Sequence, residues 1–223
     1  PIANVDQAIL VFSVKEPAFN TILLDRFLVV LESFQVTPII CLTKMDLLDE
    51  SEKSELAGYI ADYEAIGYDV ITTYKDDETL MARIEPYLKD KMTVLAGQSG
   101  VGKSTMLNTL LPDLHLKTGV ISQSLGRGKH TTRHVELIEV AGGLLADTPG
   151  FSSFDFDEIE KEELTGCFPE FVRIGENCKF RGCLHMKEPK CAVKTSLETG
   201  EVKQYRHEHY EQFLQETMDR KPT

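Results

Sequence analysis

The chain has 223 residues, 42% of them hydrophobic, with 15 glycines, which is an ordinary globular composition and enough length for a sizeable core. At about 150 residues per domain, this length predicts one domain with an appendage or two small domains. No run of about 18 apolar residues occurs and the N-terminus lacks the order of a signal peptide, which argues against a membrane-spanning or secreted protein and for a cytoplasmic one. The 24 basic and 36 acidic residues leave a net charge of −12, which excludes a surface that grips nucleic acid all over, so any such contact has to be local. The chain opens at Pro1 without an initiator methionine and runs straight into an apolar stretch, so we expect a segment upstream.

Short β-branched apolar runs alternate with segments of helical period, the pattern of βαβ units in a mostly parallel sheet. Ala8–Phe12 reads as the first strand. Asn20 suits the cap of a helix in which Leu23, Leu24, Phe27, Leu28, Leu31 and Phe34 recur at a spacing of three to four. Further strands are predicted at Pro38–Leu42, Val70–Thr73 and Met92–Ala96, with a second helix over Ser51–Ile66. Cys41, inside Ile39-Ile40-Cys41-Leu42, reads as a small buried hydrophobe. Val135–Val140 and Leu144–Ala146 read as a strand pair turned at Gly142-Gly143. After about Phe154 the character changes to an acidic helical segment at Asp157–Leu164, a Cys/His cluster, and an amphipathic stretch carrying Val202, Tyr205, Tyr210, Phe213, Leu214 and Met218. These features predict an α/β domain over residues 1–153 and a small helical domain over residues 154–223.

Gly97-Gln98-Ser99-Gly100-Val101-Gly102-Lys103-Ser104, followed by Thr105, matches the G-x-x-x-x-G-K-[ST] phosphate-binding loop and stands between a predicted strand and a predicted helix. Its glycines let successive backbone N–H groups curl around phosphates. Lys103 would reach the outer phosphates and the Ser104 hydroxyl would ligate Mg²⁺. Asp147-Thr148-Pro149-Gly150 follows a strand, which would set the Asp147 carboxylate near Mg²⁺ and the Gly150 N–H near a γ-phosphate, although the tetrapeptide alone is only a good turn. Thr43-Lys44-Met45-Asp46 ends another strand at the carboxyl edge of the sheet. Asp46 can accept from N1–H and N2–H₂ of guanine, donors that adenine lacks, which favours GTP and GDP over adenine nucleotides. Thr43 stands where most GTPases have asparagine. Thr72 and Thr73, at the end of the next strand, are candidates to back the base.

Gly126-Arg127-Gly128-Lys129-His130-Thr131-Thr132-Arg133-His134 is glycine-punctuated and basic, the composition of a switch loop or of a merely solvated one. Thr132, with Thr131 as the alternative, would complete the Mg²⁺ shell. Phe151 occupies the place of a water-orienting glutamine, so hydrolysis must be slow or assisted. His130 is a candidate to accept a hydrogen bond from the attacking water, and a group supplied by a partner is another.

Cys178, Cys183, His185 and Cys191 offer three thiolates and one imidazole, a set that closes a tetrahedral shell around a structural Zn²⁺. His207 and His209 compete as ligands but read as surface residues in their Glu-rich surroundings. Lys179, Arg181, Lys187, Lys190 and Lys194 face a single acid, Glu188, which suggests a phosphate-binding patch with Phe180 available for stacking, or else a solvated charged face.

The Lys-x-Asp motif precedes the phosphate loop, the reverse of the standard order, so the nucleotide domain is a circularly permuted P-loop G domain. With the Cys/His cluster, these motifs closely resemble the ribosome-small-subunit-dependent GTPase family of bacteria, over the whole chain from Asn4-Val5-Asp6-Gln7 onward. The resemblance implies a permuted G domain and a zinc domain, GTP hydrolysis stimulated by the small ribosomal subunit and its rRNA, and a role in late subunit assembly. The family's N-terminal OB-fold has no counterpart in this chain. Competing readings are a GTP-switched zinc-containing module that binds RNA or protein with negligible turnover, and a small-molecule kinase, against which Asp46 speaks. A monomer acting away from membranes is expected.

Overall fold

A computed structural model describes residues 4–111, 136–147 and 159–219. The segment 126–134 expected to be a switch, with His130, Thr131 and Thr132, lies outside the described residues, as do Thr148–Gly150 and Phe151. The described chain divides into two compact units. Asn20–Gln35 and Ala65–Gly67 group with the C-terminal segment, and the rest of the chain up to residue 147 forms the first unit. This partition differs from a single break near residue 153, because the first helix belongs with the later helices.

The first unit is built on a six-stranded sheet. Its strands are β1 (Gln7–Ser13), β2 (Thr37–Thr43), β3 (Asp69–Thr72), β4 (Met92–Ala96), β5 (Glu136–Val140) and β6 (Gly143–Asp147), in the spatial order β3-β2-β1-β4-β6-β5. All pairings are parallel except β5 with β6. Every residue of β1 and all of β2 after Thr37 are buried, as a central parallel strand covered on both faces requires. Cys41 is fully buried, and burial pushes its thiol pKa up to about 12, as expected of an inert packing residue. Strand succession runs outward from β1 through β2 to β3 and then returns to β4 on the other side of β1. That reversal puts the carboxyl ends of β1, β2 and β4 side by side, where open α/β sheets bind their ligands.

Helices α2 (Glu50–Ile66), α3 (Leu80–Leu88) and α4 (Lys103–Leu110) follow β2, β3 and β4. One apolar cluster joins Ile9, Ile39, Cys41 and Leu95 of the sheet to Leu80, Ile84 and Leu88 of α3 and Met106, Leu107 and Leu110 of α4. Sequence periodicity misses α3, a nine-residue helix interrupted by Pro86. The β5–β6 hairpin turns at Ala141-Gly142, both at positive φ (51° and 75°), and not at Gly142-Gly143. Gly143 pairs with Val140 inside the ladder and has a different reason to be glycine: a Cβ there would lie 1.9 Å from the Leu88 carbonyl oxygen.

The second unit is helical. Within it are α1 (Thr21–Ser33), α5 (Lys161–Leu164), a 3₁₀ turn at Thr165–Cys167, α6 (Pro169–Gly175), α7 (Ala192–Thr199) and α8 (Gln204–Met218). Asn20 caps α1 as expected, accepting from the Leu23 N–H at 3.1 Å. Of the acidic segment expected at Asp157–Leu164, the described part is helical from Lys161, where Glu160 and Glu163 form a reciprocal capping box. Val29 and Val30 of α1 pack with Leu164, Phe168, Phe171, Tyr210, Phe213 and Leu214 in one core. Inside that core Arg206 is fully buried between Asp25 and Glu170. Among the described residues no helix is long and apolar enough to cross a membrane.

Candidate functional site

Residues 97–102 form a loop between β4 and α4. Gly97 has φ of +146°, and a Cβ there would stand 2.2 Å from the Val11 carbonyl oxygen of the neighbouring strand, so only glycine lets β4 leave the sheet at this point. Gly102, at φ +101°, occupies the cap position of α4 and turns the chain into the helix, whose first turn carries Lys103, Ser104 and Thr105. The Lys103 ammonium lies across the loop, donating to the carbonyls of Gly97 at 2.6 Å and Gln98 at 2.7 Å. The Lys103 cation and the N-terminus of α4 therefore meet at this loop, an arrangement that receives an anion. β6 brings Asp147 into register with Leu95, two residues before Gly97.

Beside that loop, β2 ends in Thr43-Lys44-Met45-Asp46, the motif expected to read the base. The Thr43 hydroxyl is 5% exposed and donates to the carbonyl of Val101, tying β2 to the phosphate loop. Lys44 takes a left-handed conformation (φ 63°) and Asp46 follows in the single 3₁₀ turn Met45–Leu47. The Met45 N–H donates to the Thr73 carbonyl at 3.2 Å, and the Thr73 N–H donates to the Leu42 carbonyl at 2.8 Å, so the loop after β3 is stitched to the loop after β2. Together they enclose a cavity of about 250 Å³. Thr43, Lys44, Asp46 and Thr73 line it, with Gly102 and Thr105 of the phosphate loop and helix. Thr72 does not line it; its carbonyl accepts from Arg83 at 2.6 Å. Tyr74 and Lys75 do line it and were not anticipated, although they directly follow the expected pair.

The second unit gathers the four expected metal ligands, all of whose donor atoms lie within 4.8 Å of one another. The His185 Nδ1 lies 3.3 Å from the Cys191 Sγ and 3.7 Å from the Cys178 Sγ, and the two sulfurs are 3.9 Å apart. A tetrahedron with zinc–sulfur bonds of about 2.3 Å has edges of about 3.8 Å, so the set fits Zn²⁺ as it stands. Burial lowers the His185 pKa, which keeps the imidazole in its neutral ligating form. Burial also pushes the Cys183 thiol up to about 12, and a bound cation is what would favour its thiolate.

The ligand loop is pinned from several sides. Burial raises the Glu188 pKa, but the backbone donors of Leu184, Met186 and neighbouring residues outweigh it and hold the carboxyl below its usual range. The N–H groups of Leu184 and Met186 each donate to Glu188 at 2.9 Å. The single acid of the basic stretch thus serves the loop. Tyr210 donates to the Leu184 carbonyl at 2.7 Å. The expectation that His207 is a surface residue is corrected: it is buried, and its Nε2 lies 2.9 Å from the carbonyl oxygen of the ligand His185. His209 pairs with Asp25 at 2.6 Å, so neither competing histidine joins the ligand set. Lys179, Arg181, Lys187, Lys190 and Lys194 are exposed around this loop. Phe180, 44% exposed, has the Lys179 ammonium 5.2 Å from its ring centroid.

A mostly parallel sheet with a glycine-rich loop opening a helix, and a Lys-x-Asp motif placed earlier in the chain, define a circularly permuted P-loop GTPase joined to a helical unit with a Cys₃His cluster. The chain belongs to the RsgA GTPase family, whose model matches residues 1–157. The small ribosomal subunit biogenesis GTPase RsgA of Bacillus velezensis is 59% identical over 223 residues, covering 100% of this chain and 75% of that protein. Its namesake from Bacillus subtilis is 58% identical over the same span, again 75% of that protein. The crystal structure of YloQ, described as a circularly permuted GTPase, superposes with a TM-score of 0.85 at 53% identity, covering 100% of this chain and 71% of that one. YjeQ from Thermotoga maritima also gives a TM-score of 0.85, at 36% identity, with 99% and 74% covered.

Proposed function

We propose that the chain binds GTP with guanine in the cavity beside Asp46, hydrolyses it to GDP and phosphate, and does so in the cytoplasm under stimulation by the small ribosomal subunit during its late assembly. The juxtaposition that carries this reading is Asp46, Lys44 and Thr73 in one cavity with Gly102 and Thr105 of the phosphate loop and helix. A nucleotide whose base sits against Asp46 then has its phosphates at the α4 N-terminus. The Asp46 carboxylate accepts from the guanine edge, the loop amides and Lys103 neutralise phosphate charge, and Ser104, Thr132 and Asp147 would hold Mg²⁺, which supplies charge neutralisation between the outer phosphates. Gly150 would meet the γ-phosphate.

No glutamine follows the Asp-Thr-Pro-Gly motif, so water activation falls to His130 or to a group brought by the partner, and turnover by the chain alone is slow. Zn²⁺ held by Cys178, Cys183, His185 and Cys191 has all four positions filled by protein and serves structure. The exposed cations around it, with Phe180, form a local phosphate and base contact for rRNA on an otherwise acidic chain. The test is GTP turnover measured alone and with purified small subunits. We expect a rise of at least about tenfold that weakens with salt. Unchanged turnover that stays negligible would replace the enzyme with a GTP-switched binding module.

A further inference from the structure

One buried acid of the first unit is used by none of the motifs. Asp77 is fully buried in the segment between β3 and α3, and both its oxygens are occupied. Oδ1 accepts from the Thr79 N–H at 3.0 Å and the Thr79 hydroxyl at 2.6 Å. Oδ2 accepts from the Thr73 hydroxyl at 2.9 Å and from the Arg83 guanidinium. Arg83 in turn donates to the Thr72 carbonyl at 2.6 Å and is paired with Asp77 across the start of α3. Burial raises the Asp77 pKa, but the Thr79 and Thr73 bonds and the Arg83 charge outweigh it and bring the carboxyl below its usual range, so it is anionic at neutral pH.

Thr73 is the point where this network meets the cavity. It lines the cavity itself, and its main chain is bonded to Leu42 on one side and to Met45, the neighbour of Asp46, on the other. A continuous path of hydrogen bonds therefore runs from Asp77 through Thr73 to Met45. We propose that Asp77, clamped by Arg83, is the positioning residue that fixes the loop after β3 and, through Thr73, the base-reading Asp46. This rests on the reading that guanine binds in that cavity. Asp77 touches no nucleotide in this scheme; it sets where its neighbours stand.

Asparagine at this position keeps the shape of Asp77 and its bonds on one oxygen, but turns an amide N–H₂ toward donors on the other. A purely structural role in holding Thr79 at the start of α3 would cost stability and nothing else. A positioning role costs recognition, and does so selectively, because inosine triphosphate lacks the N2 amino group that a correctly placed Asp46 reads.

The experiment uses the whole chain with its metal bound. For Asp77→Asn we expect KM for GTP to rise about tenfold, kcat at saturating GTP to stay within about twofold, and the preference for GTP over inosine triphosphate to fall by a similar factor. Arg83→Met removes the clamp from its exposed side and should give the same pattern in milder form, which keeps the proposal testable if Asp77→Asn does not fold. Val140→Ala, in β5 at the opposite edge of the sheet, is the control for lost stability and should move neither KM nor the preference. Wild-type KM and preference in both Asp77→Asn and Arg83→Met, with only the melting temperature lowered, would overturn the proposal. If Asp46→Asn still switches binding to xanthosine triphosphate in that case, the cavity reading survives alone. If neither Asp46 nor Asp77 affects base preference, both fall.

Discussion

Arg206→Met should destabilise the helical unit severely while leaving nucleotide chemistry intact. Arg206 is fully buried, donating to Glu170 at 2.8 and 3.1 Å and to Asp25 at 2.5 Å, with its guanidinium 4.6 Å from the Phe168 ring centroid. Asp25 is also fully buried and Glu170 is 1% exposed. Methionine fills much of the same space but leaves two carboxylates in the core without their shared cation. Breaking a buried pair by removing one partner costs about 3–5 kcal/mol, chiefly through the charge left behind. With a guanidinium chloride slope of about 4 kcal/mol/M, the unfolding midpoint should drop by about 1 M. The chain has no tryptophan, so far-UV circular dichroism and hydrogen exchange on peptides of α1, α6 and α8 are the appropriate measurements. The triple variant Arg206→Met, Asp25→Asn, Glu170→Gln should recover most of the loss, because it also removes the carboxylate charges that Arg206 balanced. A loss below about 1 kcal/mol in the single variant, or no recovery in the triple, would refute this account of the core.

Asp46→Asn should weaken GTP binding by about a hundredfold and make xanthosine triphosphate the better ligand, since its C2 oxygen meets the new amide donor; titration with both nucleotides decides it. Cys183→Ala should leave the purified protein with less than one zinc per chain and unfold the helical unit, with GTP binding by the first unit retained, because binding energy at a structural site is folding energy. Metal analysis beside hydrogen exchange of α6 to α8 checks this, and a metal-free variant with wild-type protection would refute the structural role. Gly97→Ala should abolish GTP binding without altering zinc content, since the added Cβ would lie 2.2 Å from the Val11 carbonyl oxygen; measurable affinity within about tenfold of wild type would show that β1 and β4 can part there at little cost.

The parts of the candidate site legible in the sequence are those whose chemistry restricts residue type and whose partners are close in the chain. Gly97 and Gly102 have to be glycine for backbone reasons confined to one loop, and the four metal ligands fall within 14 residues. What escaped depends on distant partners. Asp25 meets Arg206 across 181 positions, so nothing near Asn20 marks α1 as part of the helical unit. At the hairpin, two adjacent glycines drew the turn to themselves, whereas Ala141 accepts positive φ and Gly143 answers to Leu88, which lies far back in the chain.

His207 shows that some of the missed information was present. Arg206, His207, Tyr210, Phe213 and Leu214 are the buried residues of α8, a spacing that is one continuous face of a helix. Read by residue type, a histidine and an arginine among glutamates look solvated. Read by position on that face, they must be buried, and a buried arginine demands acids while a buried histidine demands a polar partner. Asp25 and Glu170 answer the first demand and the carbonyl of His185 the second. The same logic applies to Asp77: ligand chemistry dictates the residues that touch the nucleotide or the metal, but positioning asks only for a satisfied hydrogen bond, which many residue types supply. Periodicity on a buried face is the signal that separates such positioning residues from solvated ones.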